Sequence, residues 1–71
     1  MGFNFKNFRE KTGLSRKEFS EILEIPYRTL EDWENGKSHP AKYLVKLIIK
    51  DMFNRKYISA NDVAEFFNEL D

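Results

Sequence analysis

The chain has 71 residues, no cysteine, a single histidine and a formal net charge of zero. These numbers exclude a disulfide framework, a thiolate metal site and a strongly basic nucleic-acid binder. Stability must come from packing, and seven Phe, three Tyr and one Trp supply it in a chain near the lower size limit for one hydrophobic core.

No apolar run approaches the about 20 residues that a membrane span needs. No signal-peptide pattern opens the chain, because Phe3, Phe5 and Phe8 are interleaved with Asn and Lys. The expectation is one soluble, cytoplasmic domain over residues 1–71. Its charge is polarised: residues 1–50 carry a net +3 and residues 51–71 a net −3. An anionic partner should therefore prefer the N-terminal two-thirds.

Gly2, Gly13, Pro26, Gly36 and Pro40 divide the chain into helix-length pieces, and little between them reads as strand. The first piece, about Asn4 to Thr12, sets Phe5, Phe8 and Lys11 at i, i+3 spacing, with Gly13 placed to end it. The second starts at Ser15, where "SRKE" is a capping box of Ser15 with Glu18. Leu14 can staple to Phe19 across that cap, and Phe19, Ile22 and Leu23 form its apolar face. The third opens at Pro26, whose missing N–H costs nothing in a first helical turn. Ile25, Leu30 and Trp33 point inward there, and Asn35–Gly36 ends it. The fourth opens with Pro40 and carries the stripe Leu44, Leu47, Ile48 and Met52, widened by Val45 and Ile49. The fifth, about residues 59–70, starts at a second box-like pair, Ser59 with Asp62, and continues with Val63, Phe66, Phe67 and Leu70. Phe53, Tyr57, Phe66 and Phe67 either complete the core or lie in part at an interface. The fold class is thus all-α, a compact bundle of five short helices. The short joint between the second and third, inside a unit of about residues 15–36, forces a helix-turn-helix crossing.

Over about residues 5–50, the stretch "TGLSRKEFSEILEIPYRTLEDWENGKSHP" and its flanks resemble the Cro/cI-type (XRE) helix-turn-helix family, whose fold is lambda-repressor-like. The carriers of the resemblance are Gly13, Ser15, Phe19–Ser20, Leu23–Ile25, Leu30, Trp33–Glu34, Gly36 and Pro40, in that order and spacing. Two positions depart from the pattern: Ser20 replaces the usual alanine, and Glu24 the usual glycine of the turn. A positive φ at Glu24 would cost a non-glycine residue roughly 1 kcal/mol.

The resemblance implies that the third helix enters the major groove of double-stranded DNA. Tyr27, Arg28, Thr29 and Asp32 are then the base-reading positions. Arg28 is the strongest, since a guanidinium can bond guanine O6 and N7 together. Tyr27 suits a thymine methyl or a phosphate, and Asp32 can only accept. Phosphate contacts are implied for Arg16 and Lys17 at the start of the second helix. They are implied also for Asn35, Lys37, Ser38 and Lys42 around the third–fourth loop, with His39 nearby. Arg9 and Glu34 are implied as a structural ion pair, and Glu31 is expected to be solvated.

No catalytic residue, cofactor or metal site is expected. No triad, glycine-rich phosphate loop or metal-ligand cluster is present in the sequence, and Ser15 and Ser59 read as caps. The functional expectation is a sequence-specific transcriptional regulator of a prokaryote or phage. It would be a repressor or autorepressor, acting as a homodimer on a pseudo-palindromic operator. The alternative is a protein-interaction module on the same scaffold, antitoxin-like or a phage-encoded inhibitor or adaptor. The neutral charge, Glu31 and Asp32, and the acidic fifth helix speak for that alternative.

Overall fold

Local signals start and stop most of the helices. In the computed structural model, which describes residues 3–70, these are α1 (Phe5–Thr12), α2 (Arg16–Leu23), α3 (Tyr27–Asn35), α4 (Lys42–Asn54) and α5 (Ala60–Leu70). Gly2 lies outside the described residues, and among them no strand occurs. The fold is all-α with a helix-turn-helix. Contacts divide the helices into two units, Asn4–Pro40 with α1 to α3, and the residues from Ala41 onward together with Phe3.

The starts of α1, α2 and α5 satisfy backbone donors that the helix itself cannot reach, whereas α3 and α4 start without a side-chain cap. The Asn4 side chain accepts from the Asn7 N–H at 3.0 Å. At α2 the box is reciprocal: the Glu18 N–H donates to Ser15 Oγ at 3.1 Å, and the Ser15 N–H to Glu18 Oε1 at 2.9 Å. Ser59 and Asp62 repeat the arrangement before α5 at 3.2 and 3.1 Å. Pro26 is the cap of α3 rather than part of its first turn, and α4 begins two residues beyond Pro40, with Ala41 as its cap.

In the first unit the rings of Phe5, Phe8 and Phe19 meet edge-on, their centroids 5.8 to 6.0 Å apart. Trp33 lies 5.3 Å from Phe5. Phe8, Phe19 and Leu30 are fully buried. The inner edge of α1 differs from its sequence reading. Lys11 is exposed, and the buried residue is Thr12, whose hydroxyl donates to the Arg9 carbonyl. A helical step of 100° favours i, i+3, i+7 over two successive steps of three, so 5, 8 and 12 share a face better than 5, 8 and 11.

The α2–α3 joint contains Glu24, at φ 56° and ψ 38°, a left-handed residue that closes α2. The Ile25 N–H bonds the Ser20 carbonyl at 3.1 Å, and the Ser20 hydroxyl donates to the Ile25 carbonyl. Serine in place of alanine thus adds a side-chain tie across the turn that Glu24 strains. Lys56 repeats the left-handed conformation after α4 at φ 70°, with the Tyr57 N–H bonded to the Met52 carbonyl at 3.0 Å.

In the second unit α4 packs on α5. Val45, Ile48, Ile49 and Met52 are buried on α4, Phe66 on α5, and Ile58 between them. Phe3 meets Phe66 edge-on at 5.9 Å. The phase of α4 departs from the sequence reading: Leu47 is 57% exposed and Leu44 only half-buried. The spacing 45, 48, 49, 52 is one continuous i, i+3, i+4, i+7 face, and Leu47 stands opposite it beside Tyr43. Phe53 and Tyr57 are exposed, and Phe67 is half-buried with Lys46 over its ring at 5.6 Å.

The turn and cap make two predictions. Glu24→Gly removes the left-handed strain but adds unfolded-state freedom, so thermal unfolding should show a net gain below about 1 kcal/mol. Glu24→Val, β-branched at the same φ, should lose more than that. The second concerns pH. The Ser15 N–H, and then its hydroxyl, hold the Glu18 carboxyl below its ordinary pKa. Such a group stabilises the fold above its unfolded pKa, and the contribution is lost as pH falls through the lower, folded value. The difference in melting temperature between wild type and Glu18→Gln should therefore be greatest at neutral pH and shrink below about pH 4.

Candidate nucleic-acid interface

Glu34, near the end of α3, has a side chain with no solvent exposure. A carboxylate in that position needs charged partners, and α1 and α2 supply them. Arg9 Nε donates to Glu34 Oε2 at 2.8 Å, and Arg9 Nη2 to Oε1 at 3.3 Å. The third nitrogen of Arg9 reaches the Leu14 carbonyl at 3.0 Å, tying α1 to the turn before α2. Arg16, the first residue of α2, places Nη2 3.2 Å and Nε 3.3 Å from Glu34 Oε1. Its Nη1 stands 3.7 Å from Glu31 Oε2. Burial disfavours the Arg16 charge, but Glu34 and the neighbouring Tyr27 phenol outweigh it, and its pKa stands above the ordinary arginine value.

The N-terminal half of α3 shows the opposite behaviour. The Arg28 side chain is 78% exposed, and its Nε lies 3.7 Å from Asp32 Oδ1, one turn on. Tyr27 is 47% exposed at the first helical residue, and Thr29 is half-buried. Tyr27, Arg28 and Asp32 thus contribute to one outward surface, while Leu30, Trp33 and Glu34 hold the other side of the helix. Glu31, expected to be solvated, keeps 40% of its side chain exposed while lying 3.7 Å from Arg16 Nη1.

The residues implied as phosphate contacts are placed unequally. Lys17 is exposed in the first turn of α2, next to backbone N–H groups at a helix start. Asn35, Lys37, Ser38 and His39 are exposed around Gly36, where Lys37 and Ser38 N–H groups bond the Asp32 carbonyl at 2.9 and 3.4 Å. Lys42 is exposed at the first residue of α4. Arg16 differs from them all: its guanidinium is turned toward two carboxylates. Sequence spacing carries no sign of this, since its partners lie 15 and 18 residues away on another helix. Only the α2–α3 crossing brings them together.

One geometric feature was not read from the sequence. The Arg16 guanidinium carbon lies 5.7 Å from the centroid of the Tyr27 ring, over its face. Among the described residues no group of three or more His, Cys, Asp or Glu could hold a metal ion. No described helix is long and apolar enough to cross a membrane.

Residues 5–52 match a family model described as helix-turn-helix. Among curated proteins, the type II methyltransferase M.MspI of Moraxella sp is 40% identical over 63 residues. That alignment covers 84% of this chain and 15% of the methyltransferase, so the chain spans a small part of that relative's length. No solved structure is a significant match.

The ion cluster predicts a contrast. Glu34→Ala leaves two guanidinium groups facing an empty site and should destabilise the fold by about 3 kcal/mol in denaturant unfolding. Arg28→Ala, on the exposed face, should change stability by no more than about 0.5 kcal/mol.

Proposed function

The chain belongs to the Cro/cI-type (XRE) helix-turn-helix family, and from that premise we propose that it is a sequence-specific DNA-binding transcriptional regulator. The observation that carries the reading is the division of α3. Its inner side is fastened by Arg9 and Arg16 through Glu34, while Tyr27 and Arg28 stand exposed at its N-terminal end. Arg28 is the best placed to read a guanine, by a bidentate contact in the major groove. Lys17, Asn35, Lys37, Ser38 and Lys42 supply phosphate contacts that set register without reading sequence.

In this reading the protein is a cytoplasmic repressor or autorepressor that works as a homodimer on a pseudo-palindrome. A single module of this size contacts little DNA, roughly 600–1,000 Å², so two half-sites give useful affinity. Tyr43 and Leu47, 72% and 57% exposed on the solvent side of α4, support self-association. The same pair supports the second reading, a protein-interaction module on this scaffold. The methyltransferase relative shares the helix-turn-helix segment, and methyl transfer is not carried over from its name. We read this chain as acting by binding, with Ser15 and Ser59 engaged as helix caps.

Selection from random duplexes at moderate salt tests this. Wild type is expected to enrich an inverted repeat, and Arg28→Ala to lose one base preference in each half-site, worth about 1–3 kcal/mol. With about five phosphate contacts per module, log affinity against log salt should fall with a slope of about −4 to −5. No enriched site and no measurable DNA affinity at low salt would sink the regulator reading in favour of a protein partner.

A further inference from the structure

We propose that Arg16 is a positioning residue that sets the base preference of Tyr27, and that it makes no phosphate contact of its own. The inference rests on the DNA-binding reading above and gives the start of α2 a different task from the one implied by the family resemblance.

The guanidinium of Arg16 is engaged by two carboxylates and stands near an aromatic ring. Nε and Nη2 point at Glu34 Oε1, at 3.3 and 3.2 Å, and Nη1 lies 3.7 Å from Glu31 Oε2. The guanidinium carbon stands over the Tyr27 ring, 5.7 Å from its centroid. The anchor is rigid. Glu34 has no exposed side-chain surface and is held from the other side by Arg9 at 2.8 Å, so it cannot follow Arg16 outward. A phosphate approaching this arginine would have to displace the Glu34 carboxylate bonded to it, and would meet the negative charge of Glu31 beside it. Lys17, the next residue, is exposed and carries no such burden.

The same geometry explains what the arginine does instead. Tyr27 is the first residue of α3 and is 47% exposed, so its ring would otherwise swing about two side-chain bonds. A cation held over the ring, with the phenol also close enough to act on its charge, restricts that swing. A base contact made by a tyrosine depends on the ring's direction, so fixing it converts a general contact into a preference. Lysine cannot substitute: its ammonium keeps the charge but has no flat face to stack and no fork to span Glu31 and Glu34.

The test compares Arg16→Lys, Tyr27→Ala, their double variant, and the charge-balanced double variant Arg16→Gln/Glu31→Gln, with circular dichroism confirming the fold. Site selection should show that Arg16→Lys and Tyr27→Ala lose preference at the same base position, each by about tenfold. The double variant should lose no more. Arg16→Gln/Glu31→Gln should keep the wild-type salt slope. If Arg16→Lys retains the full preference, or the charge-balanced variant lowers the slope by about 0.9, Arg16 is a phosphate ligand and the proposal is overturned. If wild type binds no DNA, the regulator reading has failed, and NMR of the free protein decides the positioning alone. Arg16→Lys should then shift and broaden the Tyr27 ring resonances while Arg28→Lys does not. Unchanged Tyr27 resonances overturn the positioning role.

Discussion

The carboxylate of Glu34 is the point on which the helix-turn-helix unit depends. A fully buried charge without partners would be strongly unfavourable, and here the partners come from two other helices. Arg9 belongs to α1, Arg16 to α2 and Glu34 to α3, so one ionised group fastens three elements. Such a cluster is a weak source of net stability but a strong source of uniqueness, because any other crossing of α3 strands the charge. The aromatic trio of Phe5, Phe8 and Phe19 supplies the apolar driving force beside it. Non-directional packing of rings leaves the rotation of α3 loosely specified, whereas the arginine forks do not.

That arrangement also accounts for acids on a helix offered to a polyanion. Between Tyr27 and Asn35 there are three carboxylates and one arginine. Taken alone, the helix would repel phosphate. In the fold, Glu34 faces Arg9 and Arg16, Glu31 faces Arg16, and Asp32 faces Arg28. Opposite charges within a few ångströms cancel at the distance of a DNA backbone, and salt screens what remains. The acids then shape the surface without dominating its field.

How much of this was legible in the chain follows from the range of each interaction. The capping pairs Ser15–Glu18 and Ser59–Asp62 are three residues apart, and a local spacing rule reads them directly. The glycine stops at Gly13 and Gly36 are equally local, each at a positive φ that glycine adopts without strain. The family resemblance supplied the pairing of Arg9 with Glu34, which no local rule could. On α4 the apolar residues outnumber one face, so periodicity alone admits two neighbouring phases. Packing chose the face of Val45, Ile48, Ile49 and Met52 and turned Leu47 outward.

The amino-acid sequence by itself determined the five helices, most of their ends, the helix-turn-helix unit and the family. Those properties rest on backbone capping and on contacts within one or two turns. The tertiary structure decided which arginine faces outward. Arg16 and Arg28 are equally charged and equally plausible DNA ligands as letters in a chain. The α2–α3 crossing puts one between two carboxylates and an aromatic ring and leaves the other in solvent. The reason is that a charge's partner is set by distance in space, and the distance from Arg16 to Glu34 exists only once the turn through Glu24 has formed.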